Sequence, residues 1–179
     1  MYSHKYGFNA SYLIPRANSE HVGYSLNDLV NDYRAPAHLT YDGAAVQVGR
    51  NTNFQKSVQK YKIKTHVWAP RRPNENPVEG AIREIKMRWY RIQAKLKVPD
   101  LLWDYGITYF CETENLTVNN PRYSNGQTPL EIIMGETPNV SGYLDFGFYD
   151  WITYRNKAGL GQTEIGRWIG VLHRVGNLM

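Results

Sequence analysis

The sequence predicts a mixed α/β fold in which a sheet is flanked by helices. Short β-favouring runs alternate along the chain with stretches whose apolar residues recur at helical spacing, a pattern typical of layered α/β proteins. The 179 residues are enough for one domain, or for one domain with an appendage, around a sizeable hydrophobic core. We therefore expect most of these runs to contribute one strand or one helix to that core.

The first part of the chain predicts a strand followed by a helix. Residues 6–14 favour a strand, which Pro15 ends. Residues 19–33 predict a helix that begins at a cap formed by Asn18 or Ser19. The buried face of this helix is expected to contain Val22, Leu26, Leu29 and Val30.

Two strands and a short helix follow in the same part of the chain. Residues 38–42 favour a strand, and residues 63–68 favour another. Between them, residues 52–61 predict a short helix with Phe54 and Val58 facing inward. Because the strands are separated by helical sequence, they are expected to belong to the layered α/β core.

Residues 77–96 give the clearest helical pattern in the chain. Pro77 suits the first helical position because it has no N–H to leave unpaired, and Asn76 can accept from the next free amides. The preceding residues 69–76 are basic and marked by proline, which predicts a loop. The apolar stripe of the helix is expected to contain Val78, Ile82, Ile85, Trp89 and Ile92.

The remaining elements are a second long helix, a short helix and a hairpin. Asp100 can begin a helix that runs to about residue 116, and residues 129–134 predict a short helix. Residues 146–155 and 167–174 favour the two strands of a hairpin. The inward face of the second long helix is expected to contain Leu102, Tyr105, Tyr109, Phe110 and Thr113.

These elements predict two regions. Residues 1–137 are assigned to the α/β core, and residues 138–179 to a linker and a partial C-terminal β-hairpin module. Tryptophan is more often buried than used as a stacking platform. Four tryptophans are therefore assigned to the hydrophobic core, namely Trp89, Trp103, Trp151 and Trp168.

Composition favours a polyanionic partner and excludes several other classes. The net charge is +5 and the isoelectric point is near 9.2, as in many nucleic-acid-binding domains. Cys111 is alone, so the chain forms no internal disulfide and no cysteine-based zinc site. No apolar run approaches the length of a membrane span, and no signal peptide is present, so an intracellular protein without a membrane partner is expected.

Two acids, Asp42 and Glu79, are the candidate functional residues. Glu79 stands three residues after Asn76, where a capping box would return its carboxylate to the N-cap amide. Alternatively, Asp42 ends a β-favouring run before Gly43, and a carboxylate at such a strand tip can meet a nearby helix start. Two carboxylates there would suit the hard divalent ions of a phosphoryl-transfer site.

The other acids are poorer candidates for this site. Asp28 and Asp32 lie inside the predicted first helix, too near Asp42 in sequence to belong to a neighbouring strand. Glu75 is assigned to the loop surface. Glu84 is five positions from Glu79 and is expected to point away from it.

The charged residues of the helix predicted over residues 77–96 divide into two groups. Glu79, Arg83, Lys86 and Tyr90 recur at steps of four and three on one face. A carboxylate in the first turn thus leads a row of positive charge. The remaining cations are expected only to solvate the helix, namely Arg88, Arg91, Lys95 and Lys97.

Taken together, these motifs resemble the core of a retroelement integrase, and the copia-type integrases of long-terminal-repeat retrotransposons most of all. The resemblance begins at Asp42-Gly-Ala, continues through the 36 residues that separate Asp42 from Glu79, and includes the run from Pro73 to Lys86. It covers most of the chain through four further motifs: Val98-Pro-Asp-Leu-Leu-Trp103, Gly126-Gln-Thr-Pro129, Gly135-Glu-Thr-Pro-Asn-Val-Ser141 and Gly166-Arg-Trp-Ile-Gly170.

The resemblance implies a three-layer RNase H-like fold and an Asp, Asp, Glu triad that holds Mg²⁺ or Mn²⁺ in a two-metal site. Asp42 and Glu79 match the last two acids as catalytic and metal-binding residues. The family's first aspartate lies on an earlier strand well upstream, whereas 41 residues precede Asp42 here. The resemblance therefore implies a core whose first strand and first aspartate are missing.

The same resemblance implies partners and compartments. The intact family protein joins element ends to target double-stranded DNA, works as a homo-oligomer, and is found in the nucleus or in a virus-like particle. The residues expected to contact DNA are Arg71, Arg72, Asn76, Arg83 and Lys86.

A second interpretation stays open at the level of sequence. The chain can be a non-catalytic retrotransposon remnant that at most binds DNA or self-associates. With one acid of the triad absent, the 179-residue chain is expected to be inactive by itself.

Overall fold

The computed structural model describes residues 2–3, 7–41, 43–49, 51–67, 77–118, 125–156 and 161–171. They form a mixed α/β structure in two compact units. The first unit contains Ala10–Ala81, and the second contains Tyr2–Asn9 together with Ile82–Met179.

In chain order the elements are β1 (Tyr2–Ser3), β2 (Phe8–Asn9), α1 (Ser19–Tyr33), β3 (His38–Tyr41), α2 (Ala45–Val48), α3 (Asn53–Lys60), β4 (Lys64–Val67), α4 (Pro77–Leu96), a 3₁₀ turn (Asp100–Leu102), α5 (Trp103–Asn115), α6 (Pro129–Met134), α7 (Ser141–Leu144), β5 (Trp151–Arg155) and β6 (Thr163–Arg167).

Helices α1 and α3 pack closely in the first unit. Gly23 of α1 makes the approach possible, because a Cβ at this position would lie 2.8 Å from the Cβ of Asn53. The same helices are joined by a hydrogen bond of 3.0 Å, which the backbone N–H of Asn53 donates to the Ser19 hydroxyl. The buried apolar residues of the two helices are Leu26, Leu29, Phe54 and Val58.

Side-chain caps fix where both helices begin. The Asn18 side chain accepts from the backbone N–H of His21 at 2.8 Å. The Thr52 hydroxyl accepts from the backbone N–H of Gln55 at 3.2 Å. Each cap satisfies a donor that the first helical turn would otherwise leave unpaired.

Strands β3 and β4 form a parallel pair in the first unit. Their register runs from His38 opposite Lys64 to Tyr41 opposite Val67. Parallel strands need a crossover connection, which α2 and α3 supply. The end of β3 is tied to α3, because the Tyr41 hydroxyl accepts a hydrogen bond of 2.8 Å from Gln55 Nε2.

The core of the second unit lies between α4, α5 and the segment before β5. Trp89, Val98 and Phe148 are its buried members. Gly106 of α5 faces the Trp89 indole so closely that a Cβ there would overlap the ring. Partly buried residues complete the cluster: Ile92, Leu96, Leu102, Tyr109, Phe110, Tyr149 and Ile169.

The N-terminal strand β2 is held against the end of α5 by the buried side chain of Asn115. Its Oδ1 accepts from the backbone N–H of Asn9 at 2.8 Å, and its Nδ2 donates to the Asn9 carbonyl at 2.5 Å. The Asn115 side chain thereby satisfies the backbone N–H and the carbonyl of Asn9, as a paired strand would do.

Most helices agree with the sequence prediction, and the strands agree less well. Helix α1 spans the predicted residues, α3 and α4 fall within one residue of theirs, and α6 ends at Gly135 as expected. Helix α5 begins three residues later than predicted, because Asp100–Leu102 form a 3₁₀ turn. The strand predicted over 6–14 was wrong in extent, since among the described residues 7–14 only Phe8–Asn9 form a strand. The hairpin strands predicted over 146–155 and 167–174 were also wrong in extent, because the described strands are β5 and β6.

Four residues assigned to the core are exposed. Ile82 lies at the border of the α4 stripe, while Tyr105 lies one turn before Tyr109, at the edge of the packed face of α5. Trp103 opens α5, and Trp151 faces outward because strand alternation turns the neighbouring Ile152 inward.

The mixed α/β class is confirmed, whereas the three-layer sheet stays a prediction. The described residues form three two-stranded sheets, β1–β2, β3–β4 and β5–β6. None of the helices within the described ranges is long and apolar enough to cross a bilayer.

We predict opposite effects for two glycine substitutions in neighbouring helices. Gly106→Ala should lower the free energy of unfolding by about 1–3 kcal/mol, because its methyl group collides with Trp89. Gly80→Ala should raise it by about 0.5–1 kcal/mol, because no described atom lies within 4 Å of the new Cβ. Urea unfolding measures both, and stabilisation by both variants would contradict the packing of α4 on α5.

A second prediction concerns the end of β3. Gly43 has a φ of 75°, and a Cβ there would lie 2.8 Å from Cγ1 of Val67. Gly43→Ala should therefore destabilise the protein, and Val67→Ala should recover the steric part of the loss. The double-mutant cycle should give a favourable coupling of about 0.5–3 kcal/mol. Additive costs would show that the two residues do not meet.

Candidate functional site

The candidate site begins where β3 ends. Asp42 itself lies outside the described residues, and it directly follows Tyr41, the last residue of β3. Because β3 and β4 are parallel, their carboxyl ends lie at the same edge of the pair. This edge is where the loops of α/β sheets commonly carry ligand-binding residues.

Gly43 shapes the chain immediately after that position. Its φ of 75° is in the left-handed region, and Val67 on the adjoining strand leaves no room for a Cβ. Glycine is thus required both by backbone conformation and by packing. The Asp-Gly order that sequence analysis singled out has a local structural reason.

Glu79 lies in the first turn of α4, and its side chain is exposed. Within the described ranges no hydrogen-bond or ion-pair partner is assigned to its carboxylate. Asn76, the N-cap of the proposed capping box, lies outside those ranges. The choice between a cap and a ligand for Glu79 therefore stays open.

Helix α4 presents a charged row that includes Glu79. At about 100° per residue, Arg83, Lys86 and Tyr90 all fall within about 40° of Glu79 around the helix. All four side chains are exposed, and Tyr90 is 63% exposed. The buried Ile85 and Trp89 lie about 120° and 80° around the helix from Glu79. We call these four residues the α4 charged face.

The two cations of this face differ from Arg88 on the same helix. Arg88 forms ion pairs with Glu84, at 2.8 Å, and with Glu114. In the part of the chain that the structure describes, no acidic partner is assigned to Arg83 or Lys86. Both side chains are exposed, while the charge of Arg88 is largely neutralised within the fold.

The pairing of Arg88 has an electrostatic consequence for Glu114. Burial raises the pKa of Glu114 above its ordinary value, and the Arg88 guanidinium opposes that rise. Glu114 also accepts a hydrogen bond of 3.0 Å from Asn9 Nδ2. Arg88 is thus a structural cation, which differs from the solvated-surface role that the sequence suggested.

The described residues supply only part of a site for a divalent metal ion. No group of three or more His, Cys, Asp or Glu side chains suited to a metal exists in the described ranges. Glu79 offers an exposed carboxylate, the hard oxygen donor that Mg²⁺ and Mn²⁺ favour. Its expected partner Asp42 lies outside those ranges, so the ligand set stays a prediction.

The other expected DNA contacts cannot be placed on this surface. Arg71, Arg72 and Asn76 lie outside the described residues. Of the exposed basic strip expected from Arg71, Arg72, Arg83 and Lys86, the described residues therefore contain Arg83 and Lys86.

Sequence reasoning missed one exposed group. Trp151 is 66% exposed and pairs across the hairpin with Arg167. The second hairpin strand was predicted over residues 167–174 instead of Thr163–Arg167, so this pairing was not predicted. The available signal was the alternation of strand residues between two faces. If Ile152 is taken as the inward residue of a strand that begins after Asp150, Trp151 must point outward.

Comparisons with known proteins support the fold. No family model matches the sequence, and no curated protein matches it. Among solved structures, the chain is similar to the catalytic core domain of BIV integrase, with a TM-score of 0.54 and 19% sequence identity. The likeness covers 72% of this chain and 78% of that chain. The chain therefore has a fold similar to an integrase catalytic core.

Proposed function

We propose that this chain is the core of a copia-type retroelement integrase, a polynucleotidyl transferase that acts on double-stranded DNA. The observation that carries the proposal is the α4 charged face within an integrase-like fold. There, an exposed carboxylate in the first helical turn precedes two exposed cations to which no acidic partner is assigned among the described residues. That order brings phosphate-binding charge next to a possible metal ligand.

The proposed chemistry divides between the acids and the cations. Divalent ions held by Asp42 and Glu79 would activate the attacking oxygen and stabilise the leaving oxygen at a phosphodiester. Arg83 and Lys86 would hold the DNA backbone beside these acids by phosphate contacts. Such contacts give affinity without sequence preference, which suits an enzyme that accepts many targets. Arg71, Arg72 and Asn76 are proposed to extend the same contact.

Several finer features belong to this proposal. The resemblance implies the RNase H-like layers, homo-oligomerisation, and residence in the nucleus or a virus-like particle. The division between residues 137 and 138 is proposed from the order of the predicted elements. The family's first aspartate has no assigned counterpart here. The activity test below therefore includes a chain extended upstream.

The alternative function is a non-catalytic remnant that binds DNA or self-associates. It shares the α4 charged face and lacks the chemistry. DNA binding is expected for both functions and therefore does not distinguish them. Metal-dependent strand transfer is expected of the integrase and not of the remnant.

We predict that Arg83 and Lys86 contribute two phosphate contacts. The double variant Arg83→Ala/Lys86→Ala should bind duplex DNA more weakly. The slope of log K against log salt should become less steep by about 2, at about 0.9 per phosphate contact. Fluorescence anisotropy over a salt series measures both quantities.

A matched control removes the same charge from the same helix. Arg91 and Lys95 are exposed and lie about 120° and 160° around α4 from Glu79. Arg91→Ala/Lys95→Ala should leave most of the slope intact. Equal losses in both double variants would show that net charge, rather than the α4 charged face, binds DNA.

We also predict that Glu79 is needed for catalysis in an active form of the protein. The 179-residue chain should not join or cleave DNA with Mg²⁺ or Mn²⁺, because two acids hold a pair of cations poorly. A chain extended through the upstream reading frame, if that frame supplies a strand with an aspartate, should be active. Glu79→Gln should reduce that activity to background in a strand-transfer assay.

Glu84→Gln provides the control for this prediction. Glu84 lies about 140° around α4 from Glu79, and its carboxylate is paired with Arg88. The extended chain should keep its activity with this substitution. Activity in the 179-residue chain that Glu79→Gln abolishes would mean that another residue replaces the missing acid.

A further inference from the structure

The hairpin β5–β6 exposes a face that the proposed integrase reaction does not use. Because opposite residues in an antiparallel pair share a side, the pairs Trp151–Arg167, Thr153–Ile165 and Arg155–Thr163 lie on one face. Trp151 is 66% exposed and Ile165 is 70% exposed. We call these six residues the hairpin face.

Arg167 holds Trp151 in a defined stack on this face. Its guanidinium carbon lies 3.5 Å from the centre of the Trp151 ring and 4.4 Å from that of Tyr149. Arg167 Nη1 also donates to the Tyr149 carbonyl at 2.8 Å. The cation therefore covers one side of the indole, while two-thirds of the tryptophan surface stays exposed to solvent.

The backbone at Tyr149 contributes to the same arrangement. Tyr149 has a φ of 68°, a left-handed conformation that is unfavourable for a residue with a side chain. Its backbone N–H donates to the Trp168 carbonyl at 2.7 Å. The surrounding structure thus holds Tyr149 in an uncommon conformation that directs its carbonyl and its ring to Arg167.

The charge on the hairpin is divided between its two faces. Arg155 and Arg167 lie on the hairpin face, which has no acid among its six residues. Glu164 lies on the opposite face, where its carboxylate accepts from the Tyr154 hydroxyl and from Asn156 Nδ2, each at 2.8 Å. An open indole beside two arginines, without a competing carboxylate, is complementary to an anionic ligand that contains flat rings.

We propose that the hairpin face binds single-stranded DNA, with an unpaired base stacked on Trp151 and the backbone phosphates near Arg155 and Arg167. Stacking on aromatic side chains combined with cations is the general mode of single-strand binding. In a duplex, the ring faces are already occupied by neighbouring bases, so an exposed indole favours unpaired bases. DNA is chosen because the proposed function places this protein on DNA, and the site itself needs neither Asp42 nor Glu79.

The test measures binding of a labelled oligothymidylate of about fifteen nucleotides without divalent ions. Trp151→Ala should lower its affinity about 5- to 150-fold, which corresponds to about 1–3 kcal/mol per stacked base. Trp151→Phe should retain part of the affinity. Trp103→Ala is the matched control, because Trp103 is also exposed, at 53%, and should leave binding unchanged. Unfolding curves of each variant establish that the hairpin unit is intact.

Other outcomes would overturn the proposal. Unchanged binding by Trp151→Ala would leave the Trp151–Arg167 stack as a structural pair, and tighter binding of oligouridylate would assign the face to RNA. Loss of self-association in Trp151→Ala, measured by sedimentation, would assign it to a second copy of the chain. Arg83→Ala/Lys86→Ala should keep oligothymidylate binding, so failure of the duplex site and failure of this site are distinguishable.

Discussion

The contact between the Trp89 indole and the backbone of Gly106 fixes how α4 lies in the second unit. A Cβ at residue 106 would overlap the ring, so the two helices approach as closely as glycine permits. Phe148 meets Trp89 edge to face with ring centroids 6.1 Å apart, which extends the core toward the hairpin. Since Trp89 and Ile85 face inward, helical periodicity turns Glu79, Arg83 and Lys86 toward solvent. The contact between Trp89 and Gly106 therefore also determines that the α4 charged face is exposed.

The basic residues of this protein are used in different ways. Arg88 stabilises the fold by pairing with the partly buried carboxylate of Glu114, and Arg167 is held between two aromatic rings. Arg83 and Lys86 have no such assigned contact in the described part of the chain. The net charge of +5 is therefore a weaker indicator of DNA binding than the contacts that each cation makes within the fold.

The helices could be predicted because their signals are local. Asn18, Thr52 and the Thr128–Glu131 capping box each act within three residues of a helix start. The short extent of strand β2 could not be predicted, because its residue Asn9 is held by Asn115, which is 106 positions away in the sequence. The extent of the hairpin likewise depends on cross-strand register, which sequence alternation by itself did not fix.

The candidate site was predictable to a similar degree. Exposure of Glu79, Arg83 and Lys86 on one face follows from helical periodicity and is confirmed. The outward position of Trp151 depends on which face of the hairpin packs inward, so a general preference of tryptophan for burial gave the wrong answer. The pairing of Arg88 with Glu114 joins two helices and has no local signal.

The central claim is that Asp42 and Glu79 lie close enough to share or flank a metal ion. The most direct measurement is the position of Mn²⁺ by anomalous diffraction from crystals of this protein grown at high manganese concentration. We predict an anomalous peak between the two carboxylates, which should lie within about 4–8 Å of each other. A structure with these carboxylates on opposite sides of the β3–β4 pair would contradict the account and leave Glu79 as a helix cap.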